Sequence, residues 1–205
     1  MIHKLKQDIF VVIAAGIFIG AVIFDILPEV NKDLHLWPSL LLVVIGAGVW
    51  FGLKKLADAA GRSGLAVVAA LAFWFHSALE GAVTALSFSA SFTTGLIVAA
   101  GMVLHLVPEF FAITALLKGE GISTKRSVQV DLFSIAILII SFTGLTFWLP
   151  GFSESTLHVL ASLSGGAFLY IGAASFLKRP KTIKNVVALG VGLIVAALWN
   201  FLIGK

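Results

Sequence analysis

The sequence contains no cysteine. That absence excludes disulfides, thiolate catalysis and soft thiolate metal sites. It is also poor in charge. Of its 205 residues, 12% are Asp, Glu, Lys or Arg, whereas 60% are hydrophobic. A soluble domain needs charge to cover its surface, and this chain does not carry enough. A mean hydropathy of +1.08 fits a polytopic membrane protein instead. Nothing matches the phosphate-binding GxxxxGK[ST] loop or the HExxH zinc-protease motif. No lysine falls in the middle of an apolar segment, so a retinal protein is excluded. The net charge of +4 would suit a nucleic-acid binder. In a membrane protein, basic residues mark cytoplasmic loops instead, and no nucleic-acid partner is expected.

What is there is a series of seven apolar segments. They run over Ile9–Leu27, Trp37–Leu53, Leu65–Phe88, Thr94–Leu117, Val128–Leu149, Leu157–Leu177 and Val186–Ile203. Each is about 17–25 residues long, enough to cross a bilayer as helix. All must be helical, because open strands would leave unpaired backbone groups in lipid. The expected architecture is all-α, a single transmembrane domain over 1–205 in the cell membrane. The first segment follows the basic start "MIHKLK". It is long for a signal peptide, lacks a small-residue cleavage site, and is expected to remain as a helix.

The fourteen basic residues orient the bundle. Lys4, Lys6, Lys54, Lys55, Arg62, Lys118, Lys125, Arg126, Lys178, Arg179, Lys181 and Lys184 fall on one side. Only Lys32 and Lys205 fall on the other. The positive-inside rule then puts the N-terminus in the cytoplasm and the C-terminus outside. Trp37, Trp148 and Trp199 lie near predicted outer boundaries and Trp50 near an inner one, as interfacial anchors do. Gly16 and Gly20 form a GxxxG on the first segment, and further glycines dot the others, a pattern that lets membrane helices approach closely.

Two segments carry charge where none is expected. "HSALE" places His76 and Glu80 near the middle of the third segment. "HLVPE" places His105 and Glu109 near the middle of the fourth. Residues four apart share a helix face. A carboxylate at the bilayer centre costs about 2.5–3.5 kcal/mol on insertion scales. No Lys or Arg lies inside the segments, so a proton or a bound cation must offset it. Two imidazoles and two carboxylates suit a borderline divalent ion such as Zn²⁺. Pro108 removes an N–H from its helix and frees the Leu104 carbonyl, a further group for a cation path. Asp25, Glu29, Asp33, His35, Glu154 and His158 gather at the predicted outer ends, where acidic charge would concentrate cations. Most read as ordinary wet loop residues. Asp25 and, beside His76, Ser77 are the auxiliary candidates, Asp25 as a ligand on the way in.

These motifs resemble those of the ZIP divalent metal transporters. "HSALEG" (His76–Gly81) and "HLVPEF" (His105–Phe110) are similar to that family's fourth- and fifth-helix motifs. "GAVIFDILPEV" (Gly20–Val30) resembles the end of its second helix, and "GGAFLYIG" (Gly165–Gly172) its seventh. The resemblance implies a bundle matching the family's second to eighth helices, without the first. It places the metal on His76, Glu80, His105 and Glu109. Ser77 and Leu106 stand where many members carry Asn or Asp, so one good site is expected. Leu79 replaces a proline, and Phe110 replaces a glycine. No carboxylate is offered by the middle of the fifth segment, because Asp131 lies towards the cytoplasm. The expected function is secondary transport of Zn²⁺, or of Fe²⁺, Mn²⁺ or Cd²⁺, towards the cytoplasm. The metal is cargo rather than cofactor, and a homodimer is a candidate assembly. The alternative is a seven-helix metallohydrolase using zinc-bound water. It would need an open coordination position, and four protein ligands leave none.

Overall fold

A computed structural model describes residues 2–148 and 153–203, with the side chains of 8–147, 153 and 155–202. The first span begins as α1 (Ile2–Ala21), widens to a π-helical turn (Val22–Ile26) and continues as α2 (Leu27–Leu34). Then follow α3 (Leu36–Ala59), α4 (Gly64–Ala90), α5 (Phe92–Gly119), α6 (Thr124–Trp148), α7 (Glu154–Leu177) and α8 (Ile183–Ile203). Seven spans among the described residues are long and apolar enough to cross a membrane. Each predicted segment falls on one of these spans, and every one of them starts earlier than predicted.

The largest difference is at the first span. The apolar run ends near Leu27, but the helix continues to Leu34. Pro28 explains how. It occupies the first turn of α2, where its missing N–H costs least. The turn before it is wound wide, with the Leu27 N–H donating to the Val22 carbonyl, five residues back. The register slips there, and the chain passes the proline without breaking. π-turns of this kind occur often at functional sites. This one contains Asp25.

Two sets of contacts tie the ends together. At one end Lys178 Nζ lies 2.9 Å from Glu120 Oε2, Ser63 Oγ donates to the same oxygen at 3.1 Å, and Arg179 Nε lies 3.4 Å from Asp8 Oδ1. The start of α1 and the α3–α4, α5–α6 and α7–α8 connections thus share this basic end. At the opposite end His158 Nδ1 lies 2.8 Å from Asp33 Oδ2, joining α2 to α7. The charge-based grouping of the loops agrees with this geometry. Lys205 and the end of the fifth predicted segment at Leu149 lie outside the described residues.

Packing is densest around α1, α4 and α7. Phe18, Phe73, Ile113, Leu116, Phe168 and Ile171 are almost wholly buried. The Phe18 and Phe168 rings lie 5.1 Å apart. In lipid there is little hydrophobic gain from this burial, so close van der Waals contact has to hold the helices. The α1–α8 crossing illustrates it. A Cβ on Gly16 would lie 2.3 Å from the Leu189 carbonyl oxygen, and one on Gly192 would lie 2.2 Å from that of Ile13. Only glycine fits at both. Outward positions such as Val44, Ile97, Val103, Val107 and Ile140 are exposed, as a lipid-facing surface requires.

The tryptophans divide. Trp37 is exposed near the start of α3, as an interfacial anchor would be. The Trp148 side chain lies outside the described ones. Trp199 lies near the end of α8 but turns inward. Its Nε1 is buried without a hydrogen-bond partner, and the residue lines a cavity with Asp25 and Asn200. The reason is the tight α1–α8 crossing, which turns this face of α8 inward.

Candidate metal centre

His76 stands near the centre of α4, and His105 near the centre of α5. Both helices run unbroken through these positions, so each pair lies one turn apart on one face. α4 and α5 are antiparallel neighbours joined through Ser91, whose Oγ accepts from the Thr94 N–H at 3.0 Å and starts α5. The short connection sets the two pairs level.

The four side chains meet. One ligand atom from each of His76, Glu80, His105 and Glu109 lies within 4.8 Å of the other three. Glu109 is the hub. Its Oε1 lies 3.3 Å from His76 Nε2 and 3.2 Å from His105 Nε2. Glu80 Oε1 lies 3.7 Å from His76 Nε2. A tetrahedral ion with ligands at about 2.0–2.1 Å has ligand atoms about 3.3–3.4 Å apart. Two of these separations already match, and the third exceeds the match by a few tenths of an ångström.

Burial makes the arrangement informative. Glu80 and Glu109 are 5% and 3% exposed. All four of their carboxylate oxygens are buried without an aligned hydrogen-bond donor. Buried polar groups are normally satisfied, and an orphaned carboxylate is costly. A cation placed among the four groups would satisfy every one. The residues therefore fit a divalent metal of the zinc type.

A neighbouring helix holds His76 in place. Ser164 Oγ on α7 lies 3.3 Å from His76 Nδ1, leaving Nε2 to face the carboxylates. Fixing one ring nitrogen so as to present the other is the usual outer-shell device at a metal. The Phe168 ring, one turn further along α7, lies 4.7 Å from the imidazole and blocks its rotation. Ser164 and Phe168 escaped the sequence reading. Phe168 belongs to the "GGAFLYIG" stretch, but nothing local says that it faces His76.

Asp25 reaches the centre from the π-turn. Its Oδ2 lies 3.7 Å from His105 Nε2, and its Oδ1 accepts from Asn200 Nδ2 at 3.4 Å. Asp25, His105, Pro108, Glu109, Trp199 and Asn200 line one cavity that extends from the metal centre between α1, α5 and α8. Asn200 was also missed, although an amide in the apolar "ALWNFLIG" was a visible signal. Ser77 is fully buried and its Oγ lacks a hydrogen-bond partner. It follows His76 by one residue, about 100° around the helix. Of the remaining acidic-end candidates, Asp33 and His158 pair with each other. His35 links α2 to α3 with φ of 61°, and the Glu154 side chain lies outside the described ones. No family model matches this chain, and no curated protein matches it.

Proposed function

We propose that this protein is a secondary transporter of divalent metal ions, Zn²⁺ foremost, and a relative of the ZIP transporters. The observation that carries the reading is the convergence of His76, Glu80, His105 and Glu109 at mid-depth of two adjacent membrane-length helices. Sites of this kind at the bilayer midplane are where many transporters bind their cargo. The resemblance of the four sequence motifs to the ZIP pattern supports the same reading. So does the match between the ligand set and a borderline metal.

In this reading the N-terminus is cytoplasmic, the C-terminus is outside and the chain is a multi-pass protein of the cell membrane. A cation approaches from the acidic end through the cavity beside Asp25 and Asn200. Asp25 receives it and passes it to His105 and Glu109. His76 and Glu80 complete the shell. Imidazole and carboxylate bind metal only when deprotonated, so proton competition at the ligands favours release. The direction, towards the cytoplasm, follows the family resemblance. Fe²⁺, Mn²⁺ and Cd²⁺ fit the same donor set, and a homodimer is the expected assembly. Four converging protein ligands favour a carrier over an enzyme, which would keep a coordination position for water.

The test is Zn²⁺ entry into proteoliposomes holding wild type or Glu109→Gln. Glutamine keeps the size and removes the charge. Saturable uptake in the wild type that collapses in the variant is expected. Equal uptake by both would remove the metal centre from the pathway.

A further inference from the structure

Asp131 is a buried acid that the metal centre does not use. It sits in the second turn of α6 and is 8% exposed. Thr114 Oγ1 on α5 donates to its Oδ2 at 2.8 Å. Its Oδ1 is buried and has no hydrogen-bond partner. Next to it, Trp74 Nε1 on α4 donates to the Val130 carbonyl at 3.1 Å. Thr114 thus holds the Asp131 carboxyl to α5, and Trp74 holds the neighbouring Val130 backbone to α4. Trp74 stands two residues before His76, and Thr114 five after Glu109. At 1.5 Å per residue Thr114 lies about 7.5 Å along α5 from Glu109, towards the basic end.

The titratable groups on the elements around it are His76 and Glu80 on α4, His105, Glu109 and Lys118 on α5, and Lys125 and Arg126 at the start of α6. The side-chain hydrogen bond that Asp131 does make is to a hydroxyl. A carboxylate at this depth held only by a neutral group is costly. One carboxyl and one hydroxyl are too few donors for a metal, which takes about four or more. A proton needs only one oxygen. An amide would make the same helix contact without titrating, so the acid itself calls for a role.

We infer that Asp131 is a proton-binding site on the basic-end side of the metal centre and exchanges one proton in each transport cycle. This rests on the transport reading above. The proton is taken from water and returned to water, and only an O–H bond forms and breaks. Ionised Asp131 draws a departing cation towards the basic end, and protonated Asp131 lets it go. Thr114, whose hydroxyl meets the carboxyl, ties this change to α5.

The experiment uses full-length protein in proteoliposomes, with Zn²⁺ as probe and a lumenal pH dye, comparing wild type with Asp131→Asn. The variant is expected to bind Zn²⁺ at equilibrium within about threefold of wild type, since no metal ligand changes. Its uptake should fall at least about tenfold and lose its dependence on lumenal pH. Uptake with an unchanged pH profile, whether full or reduced, overturns the proposal, because a merely structural contact would give that result. If Asp131→Asn does not fold, Thr114→Val replaces it, and an unmoved pH midpoint of uptake overturns the proposal. If wild type carries no Zn²⁺, the transport reading fails, and infrared difference spectra across pH judge the proton site separately. A protonated-carboxyl band present in wild type and missing from Asp131→Asn upholds the site, and its absence from wild type removes it.

Discussion

α4 and α5 carry the same His-x-x-x-Glu pair at the same depth, yet they occupy different surroundings. In α4, 61% of the apolar window is buried, and in α5 only 17%. α4 is enclosed by α3, α5, α6 and α7, whereas α5 turns Ile97, Val103 and Val107 outward. The residue after each glutamate reflects this. Gly81 follows Glu80, and a Cβ there would lie 2.3 Å from the Leu138 carbonyl oxygen of α6. Phe110 follows Glu109 and meets the edge of Phe73 at 5.8 Å between centroids. One pair stands on a wall fixed by backbone contact, the other on a helix held by side chains. The carboxylates differ too, since Glu109 touches both histidines and Glu80 only His76. Identical local motifs therefore need not contribute equally to one site.

Substitutions can break this comparison, and the largest effect is expected at Gly81. Gly81→Leu should abolish folding by driving α6 off α4, read as loss of the monodisperse peak in size-exclusion chromatography. Val103→Leu on the outer face of α5 should leave that peak unchanged. Next come the two glutamates. Zinc binding of about 10–16 kcal/mol shared among four ligands gives about 2.5–4 kcal/mol each, or roughly 10²–10³-fold in affinity. Calorimetric titration should place Glu109→Gln at the upper end of that range and Glu80→Gln at the lower end. Equal losses would erase the distinction between hub and edge.

A smaller effect is expected from Ser164→Ala. It frees His76 Nδ1 and should cost about tenfold in Zn²⁺ affinity without unfolding the protein, as outer-shell changes do. On α5, Asp25 instead faces the same His105 Nε2 that meets Glu109. Smallest of all is Asp33→Asn. Its pair with His158 is 39% exposed on the aspartate side, so its removal should change thermal stability by less than about 1 kcal/mol. A larger shift would mean that the α2–α7 contact is structural for the whole acidic end.

Much of this was legible locally. Apolar runs of bilayer length dictate helices because lipid offers the backbone no other partner. Two residues four apart on a helix must share a face, so His76 with Glu80 and His105 with Glu109 could be paired from spacing alone. The alternation of basic and acidic loops foretold which connections share an end, later seen in the Glu120–Lys178 and Asp33–His158 contacts.

The rest depended on which faces meet, and that is a property of packed helices. No local pattern states that Glu109 stands between both imidazoles, or that Ser164 and Phe168 of α7 hold His76. Asp25 and Asn200 are 175 residues apart in the chain. They meet because the glycine crossing of α1 and α8 brings those backbones close, and because the π-turn before Pro28 sets the register of Asp25. The inward turn of Trp199 was invisible for the same reason, since hydropathy gives depth along a helix but not rotation about its axis. Sequence alone determined the membrane class, the spans and the two His–Glu pairs, because those follow from composition and short-range geometry. Only tertiary structure decided how the pairs combine and what supports them, because those follow from long-range contacts.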